Sequence, residues 1–218
     1  MKRVLRIALI GLDAMTVAFV LIAATTDLFT VNLALWNTGV RKFIFFTVDS
    51  NVLAALTLLI ALPFKYRRLV TGKPLPFFCV VLSFVGVAAS SVTFMTVLLF
   101  LGPALGYGNM FLGNNLLLHL VCPVCMAASF IFDFGSDKKL KFRYTPLSLL
   151  PTVLYGILYF IMVMVVGAEN GGWEDFYGFN GGGVWYLSAV LMLAGTYATG
   201  VMLWLAHKIS EKRKYACN

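Results

Sequence analysis

Six long apolar runs limit what this sequence can fold into. Crossing a hydrocarbon core of about 30 Å takes about 20 helical residues. Runs of that length occur at 5–24, 43–62, 77–101, 116–134, 147–166 and 184–206. They are continuously apolar rather than alternating, which favours helices over barrel strands, because a helix pairs every backbone amide within its own segment. The sequence therefore predicts an all-α polytopic membrane protein, a single six-helix transmembrane domain over residues 1–218.

The composition supports a surface that faces lipid. Of the 218 residues, 61% are hydrophobic and only 12% are charged, whereas a soluble domain carries about 25% charged residues. The net charge of +8 would indicate a nucleic-acid partner if the basic residues formed one patch. They fall instead in short clusters between the apolar runs, so membrane lipids are the predicted partners and nucleic acid is not. The oligomeric state is not predicted.

The basic residues also predict the orientation. All but two of the 17 lysines and arginines lie on alternate segments. They are Lys2, Arg3, Arg6, Lys65, Arg67, Arg68, Lys73, Lys138, Lys139, Lys141, Arg143, Lys208, Lys212, Arg213 and Lys214. The exceptions, Arg41 and Lys42, lie on the other set. By the positive-inside rule, both termini and the segments 63–76 and 135–146 face the cytoplasm.

The four cysteines predict no structural disulfide and no cofactor. Cys79 and Cys217 fall on the predicted cytoplasmic side, while Cys122 and Cys125 lie inside the fourth run, so none faces an oxidising compartment. The CPVC spacing is typical of thiol oxidoreductases, but no second cysteine pair accompanies it. A metal site built from His119, Cys122 and Cys125 lacks a fourth ligand, and no metal is predicted.

Two aspartates lie at membrane depth, where ionisable groups are functional candidates by default. Asp13 is the deeper one, about 12 Å from the inner edge at about 1.5 Å per residue. It either holds helices together through a hydrogen bond, with Thr57 or Thr199 as the partner at its level, or belongs to a proton-coupled path.

The second aspartate, Asp49, follows Arg41 and Lys42 closely along the chain. Their positive charges at the interface favour a salt-bridging or capping role for Asp49 over a catalytic one.

One group of polar residues in the outer half of the predicted helices could form a catalytic site. Thr47 lies about 6 Å and His119 about 4.5 Å below the outer edge. A threonine hydroxyl needs an adjacent base to attack a carbonyl, and a neutral histidine is the usual one. Ser50 and Asn51 share a helical face with Thr47, and these two residues with Asn115 are candidates for oxyanion stabilisation or substrate positioning. The alternative is that His119 joins helices and Thr47 is a packing residue.

Three segments resemble a known family. FFTVDSN opens the second run, LLLHLVCP opens the fourth, and GGWEDFYGFN precedes the sixth. Together they resemble the androgen-induced family of integral membrane proteins and its bacterial relatives. The resemblance implies a threonine hydrolase of fatty acid esters of hydroxy fatty acids, with Thr47 as nucleophile, His119 as base and a lipid ester as substrate. It also implies a multi-pass protein of a bacterial plasma membrane.

The functional prediction is an intramembrane lipid ester hydrolase without a bound cofactor. A related membrane family transfers acyl groups, so a lipid acyltransferase, with Cys122 as a further candidate nucleophile, is one alternative. The other is a non-catalytic membrane protein that binds a lipid or solute, or a small transporter that uses Asp13.

Overall fold

The computed structural model describes residues 2–26, 39–133 and 135–216. Within these ranges every regular element is helical, and six helices are long and apolar enough to cross a membrane. They are α1 (Arg3–Thr25), α2 (Phe46–Thr71), α3 (Phe77–Leu105), α4 (Asn114–Phe132), α5 (Phe142–Val166) and α6 (Trp185–Lys212). The predicted all-α multi-pass architecture is confirmed.

The end of α2 differs from the prediction. The sequence places the end of this helix at residue 62, but α2 runs through Pro63 to Thr71. Gly72 then ends it in the left-handed region at φ 75°, where its N–H donates to the Arg68 carbonyl at 3.0 Å. Lys65 and Arg68, predicted to lie in a cytoplasmic loop, are therefore buried residues of a spanning helix. The extension is possible because buried carboxylates balance both charges.

Helix α3 lies at the centre of the bundle. It contacts α2, α4, α5 and α6, while α1 packs on α2 and α4. Phe84 and Val87 of α3 are fully buried. A Cβ at Gly86 would lie 2.9 Å from the Ala54 Cα of α2, so this position needs glycine. Small residues of this kind let membrane helices approach closely.

Successive helices run in opposite directions, which gives the bundle two distinct ends. Asp13 of α1 is level with Lys65 of α2, and Ala23, Val48 and Leu118 meet at the opposite end of those helices. We call the end at which α1 begins and α2 and α4 finish the basic end. We call the opposite end, where α2 and α4 begin, the aromatic end. Which of them faces the cytoplasm stays a prediction.

Candidate functional site

The site at the aromatic end begins with an irregularity in α4. Leu117–Val121 forms a π-helical turn, in which the Cys122 N–H donates to the Leu117 carbonyl, five residues back. Pro123 follows and has no N–H to give to the carbonyl four residues before it. The turn leaves the Leu118 carbonyl without its usual intrahelical donor, and such π turns are frequent at functional sites.

Asn51 of α2 satisfies that carbonyl. Its Nδ2 donates to the Leu118 oxygen at 2.9 Å and to the Thr47 oxygen at 2.7 Å, while its Oδ1 accepts from Ser90 Oγ at 3.0 Å. One fully buried amide thus joins α2, α3 and α4. Both of its N–H groups are occupied, so Asn51 has no donor left for an oxyanion. Its role is structural because a backbone carbonyl inside a membrane must be paired.

Ser50 is also committed to structure. Its Oγ lies 2.8 Å from Thr93 Oγ1 of α3 and donates to the Thr47 carbonyl at 3.2 Å. Asn115, half-buried at the start of α4, differs because its side chain makes no hydrogen bond within the described part of the chain. Of the three predicted positioning residues, only Asn115 retains a side-chain donor for a ligand.

His119 lies inside the π turn and is 7% exposed. Its Nδ1 is 2.7 Å from the Met110 carbonyl oxygen. A carbonyl can only accept, so this contact assigns the proton to Nδ1 and leaves Nε2 with a free lone pair. No hydrogen bond joins His119 to Thr47 among the described residues.

The Thr47 hydroxyl faces a tyrosine instead. Thr47 is half-buried in the first turn of α2, and its side chain approaches the Tyr177 hydroxyl. The same hydroxyl accepts from the Phe46 N–H at 3.1 Å. The ring of Tyr177 is 37% exposed, but its hydroxyl is turned inward, and burial raises the pKa of Tyr177 to about 12. The phenol is therefore neutral at physiological pH.

The loop between α5 and α6 holds Tyr177 over this site. The Asp175 carboxylate accepts from the Tyr159 hydroxyl at 2.9 Å and from the amides of Phe179 and Asn180 at 2.7 and 2.8 Å. Tyr159 in turn accepts from the Tyr177 N–H at 3.1 Å. Sequence reasoning missed Asp175 and Tyr177 as site residues, and the aromatic composition of this loop was their only signal.

The basic end holds a network of four charged side chains. Lys65 Nζ lies 2.6 Å from Asp13 Oδ2 and 3.0 Å from Asp133 Oδ2, and Arg68 Nη1 lies 2.9 Å from Asp133 Oδ1. Burial alone would raise the pKa of Asp133, but the positive charges of Lys65 and Arg68 outweigh it and hold the pKa below its usual value. We call these four residues the charge cluster.

The predicted partners of Asp13 are not its partners. Thr57 donates to the Ala54 carbonyl and Thr199 to the Gly195 carbonyl, each at 2.8 Å within its own helix. Lys65 was missed because it was assigned to a loop. A threonine in a helix commonly bonds a carbonyl of the preceding turn, whereas only a cation balances a buried carboxylate.

Asp49 does not form the predicted salt bridge. Its carboxylate is half-buried, and no ion pair with Arg41 or Lys42 occurs among the described residues. Lys42 Nζ donates instead to the carbonyls of Ala23, in α1, and of Thr26, the residue after it. The contact of the Lys42 ammonium with the end of α1 is favourable because the last carbonyls of a helix carry partial negative charge.

The described cysteines Cys79, Cys122 and Cys125 are free thiols, and Cys217 lies outside the described residues. Cys122 is fully buried in the core, so it is poorly placed to act as a nucleophile. Within the described ranges, no group of three His, Cys, Asp or Glu side chains is placed to hold a metal ion.

No protein-family model, no curated protein and no solved structure matches the chain.

Proposed function

We propose that the chain is a lipid ester hydrolase of a bacterial plasma membrane, with Thr47 as nucleophile and His119 as general base. One observation carries the proposal. The Asn51 amide binds the carbonyl of Thr47 and the carbonyl of Leu118, the residue before His119. The two candidate residues therefore stand on adjoining turns of neighbouring helices, at one depth.

The tautomer of His119 suits a base. With the proton of Nδ1 directed at the Met110 carbonyl, Nε2 is the basic nitrogen, and the carbonyl fixes the ring as a carboxylate does in serine hydrolases. His119 is a buried residue, so little of its ring faces the surroundings of the bundle.

The first turn of α2 could stabilise the oxyanion that forms during ester cleavage. The Thr47 amide has no hydrogen-bond acceptor among the described residues, as expected in the first turn of a helix. The helix N-terminus adds partial positive charge near the nucleophile. The Thr47 N–H, with Asn115 as a second donor, would stabilise the negative charge that develops on the ester carbonyl.

The reaction then takes two steps. In the first, the Thr47 oxygen bonds to the ester carbonyl carbon, its proton passes to His119 Nε2, and the proton is returned to the departing alcohol. In the second, water attacks the acyl-threonine and gives a proton to Nε2. The bond between the acyl carbon and the Thr47 oxygen then breaks, Nε2 returns the proton to that oxygen, and a fatty acid is released. The Thr47 hydroxyl and His119 Nε2 have to come together when substrate binds, and hydrogen bonds of this kind often tighten only in the substrate complex.

The substrate class follows from the resemblance and the surroundings. The motifs that contain Thr47 and His119 resemble those of the androgen-induced family, which implies a fatty acid ester of a hydroxy fatty acid. Large apolar side chains such as Leu154, Ile157 and Val165 are exposed along α5. A long-chain ester would reach the site laterally from lipid.

The proposal is tested with purified protein and a fatty acid ester of a hydroxy fatty acid. Thr47→Val, which keeps the shape of the side chain, should abolish both ester hydrolysis and labelling by a fluorophosphonate probe, and His119→Gln should lower both strongly. The matched control is Ser91→Ala, which removes a buried hydroxyl of α3 from outside the proposed mechanism and should leave both unchanged. Full labelling of folded Thr47→Val would exclude Thr47 as the nucleophile.

A second candidate function rests on Asp13. This carboxylate is fully buried, and neither its Oδ1 nor the Ser129 hydroxyl beside it makes a hydrogen bond of normal geometry within the described ranges. A buried carboxylate with an unpaired oxygen is typical of proton paths in transporters. Loss of solute flux in liposomes with Asp13→Asn, while Thr47→Val stays active, would favour a small transporter over the hydrolase.

A further inference from the structure

The surface of the basic end contains a shallow crevice between the start of α1 and the end of α2. It is open to the surface rather than an enclosed cavity. Its lining is cationic and apolar, with one carboxylate: Arg6, Leu9, Ile10, Lys65, Arg68 and Asp133. The crevice is distant along α1 and α2 from Thr47, so it is not part of the site at the aromatic end.

The charges in and behind the crevice do not cancel. Lys65 and Arg68 balance the two carboxylates of the charge cluster, and both oxygens of Asp133 are occupied by these cations. Arg6 is the remaining charged group of the lining, and among the described residues it makes no ion pair and no hydrogen bond. The crevice therefore carries one excess positive charge.

The apolar part of the lining lies deeper in the membrane than Arg6. Leu9 and Ile10 follow Arg6 by about one turn of α1, towards the middle of the helix. Arg6 is half-buried one turn after the helix begins, near the end of a candidate spanning helix, where the interface of a bilayer is expected. A ligand that fits has one negative charge at the interface and an apolar portion beneath it.

We propose that this crevice binds a phospholipid through its phosphodiester. The guanidinium of Arg6 would donate two parallel hydrogen bonds to the phosphate oxygens, and the acyl chains would lie over Leu9 and Ile10. One phosphodiester charge balances the one excess positive charge. Basic pockets between membrane helices recognise lipid head groups in this way.

The test measures lipid retention in detergent micelles by native mass spectrometry. Wild type is compared with Arg6→Gln and with Arg3→Gln, which removes an exposed charge of the same helix. Each is exposed to phosphatidylglycerol, to diacylglycerol without phosphate, and to inorganic phosphate as a competitor. We expect Arg6→Gln to lower phosphatidylglycerol retention about fivefold, as one interfacial charge is worth about 1 kcal/mol. Arg3→Gln and inorganic phosphate should change little.

Three results would overturn the lipid site. The first is equal loss in Arg6→Gln and Arg3→Gln, which means general surface charge. The second is equal retention of diacylglycerol, which means that phosphate is not recognised. The third is displacement by inorganic phosphate, which would reassign the crevice to a soluble anion. Arg6→Lys keeps the charge without the planar fork and should fall between wild type and Arg6→Gln, so the proposal is tested even if Arg6→Gln folds poorly. Ester hydrolysis should be unchanged in all variants, so this site and the hydrolase fail separately.

Discussion

The two ends of the bundle bury polar groups in different ways. At the basic end, the two cations and two carboxylates of the charge cluster pair with one another. At the aromatic end, the side chain of Asn51 pairs with backbone carbonyls, one of which a π turn has exposed. The first arrangement uses its charges to balance each other. The second uses one amide as a clamp and leaves a hydroxyl, an imidazole nitrogen and a backbone N–H for a ligand.

Depth in the membrane is therefore a weaker guide to function than what each polar group is paired with. Asp13 is more deeply buried than Thr47, yet its charge is balanced within 2.6 Å by Lys65. Thr47 and His119 carry no net charge and are shallower, and within the described ranges neither takes part in an ion pair. Variants at the two ends should accordingly differ in kind, with loss of rate at one and loss of stability at the other.

The largest expected effect is on rate, at the aromatic end. In the proposed mechanism His119 accepts the Thr47 proton, so His119→Gln should lower ester hydrolysis per folded molecule about 10²–10⁴-fold, the usual contribution of a general base. Glutamine keeps a polar group near the Met110 carbonyl, and thermal unfolding followed by tryptophan fluorescence should change little. A rate within about tenfold of wild type would show that His119 is not the base.

The next effect is on stability, at the basic end. Lys65→Met leaves the buried Asp13 without its cation and should cost about 3–5 kcal/mol in the free energy of unfolding. The double variant Asp13→Leu with Lys65→Met removes both charges and should recover most of that loss, because Asp133 keeps Arg68. Unfolding by a denaturing detergent measures both.

The matched control for the charge cluster is Arg67→Met. Arg67 is exposed and donates to the Pro74 carbonyl, so its loss should cost under about 1 kcal/mol. A cost for Lys65→Met as small as that of Arg67→Met would mean that water solvates the cluster. The distinction drawn between the two ends would then fail.

A smaller loss of stability is expected from substitutions in the clamp, which is the Asn51 side chain with its partners Leu118 and Ser90. Asn51→Ala leaves the buried Leu118 carbonyl unpaired and should cost about 1–3 kcal/mol. Ser90→Ala removes a single donor to Asn51 Oδ1 and should cost about 0.5–1.5 kcal/mol. Because the clamp also sets the distance between Thr47 and His119, Asn51→Ala should lower the rate of hydrolysis more than Ser90→Ala does. Equal rates in the two variants would show that Asn51 does not position the site.

Much of the fold could be predicted because membrane helices are read directly from apolar length. The end of α2 could not, since a stretch with Lys65 and Arg68 looks like a loop until carboxylates from α1 and the end of α4 are known to face it. The pairing is long-range, as Asp133 follows Arg68 by 65 residues. Apolar periodicity within one helix contains no information of that kind.

The candidate site was predictable only in part, for a similar reason. Pro123 predicts a disturbance in α4, but it does not say that the disturbance is a π turn that frees the Leu118 carbonyl. The Leu118 carbonyl needs a hydrogen-bond donor, and Asn51 provides it. The sequence alone had indicated that Asn51 donates to an oxyanion. Likewise, the contact of Tyr177 with Thr47 depends on how Asp175 folds a glycine-rich loop.

The smallest effect is expected from Tyr177→Phe. The change removes the acceptor of the Phe46 N–H and should cost about 0.5–1.5 kcal/mol of stability. If the Tyr177 hydroxyl only lies near Thr47 and takes no part in the reaction, its removal should leave the rate of hydrolysis at or above that of wild type. The matched control is Tyr186→Phe, an exposed tyrosine of α6, which should change neither. A rate loss above about tenfold in Tyr177→Phe alone would place its phenol in the chemistry, since that is the scale on which a proton donor acts, and Thr47 would then have two functional partners rather than one.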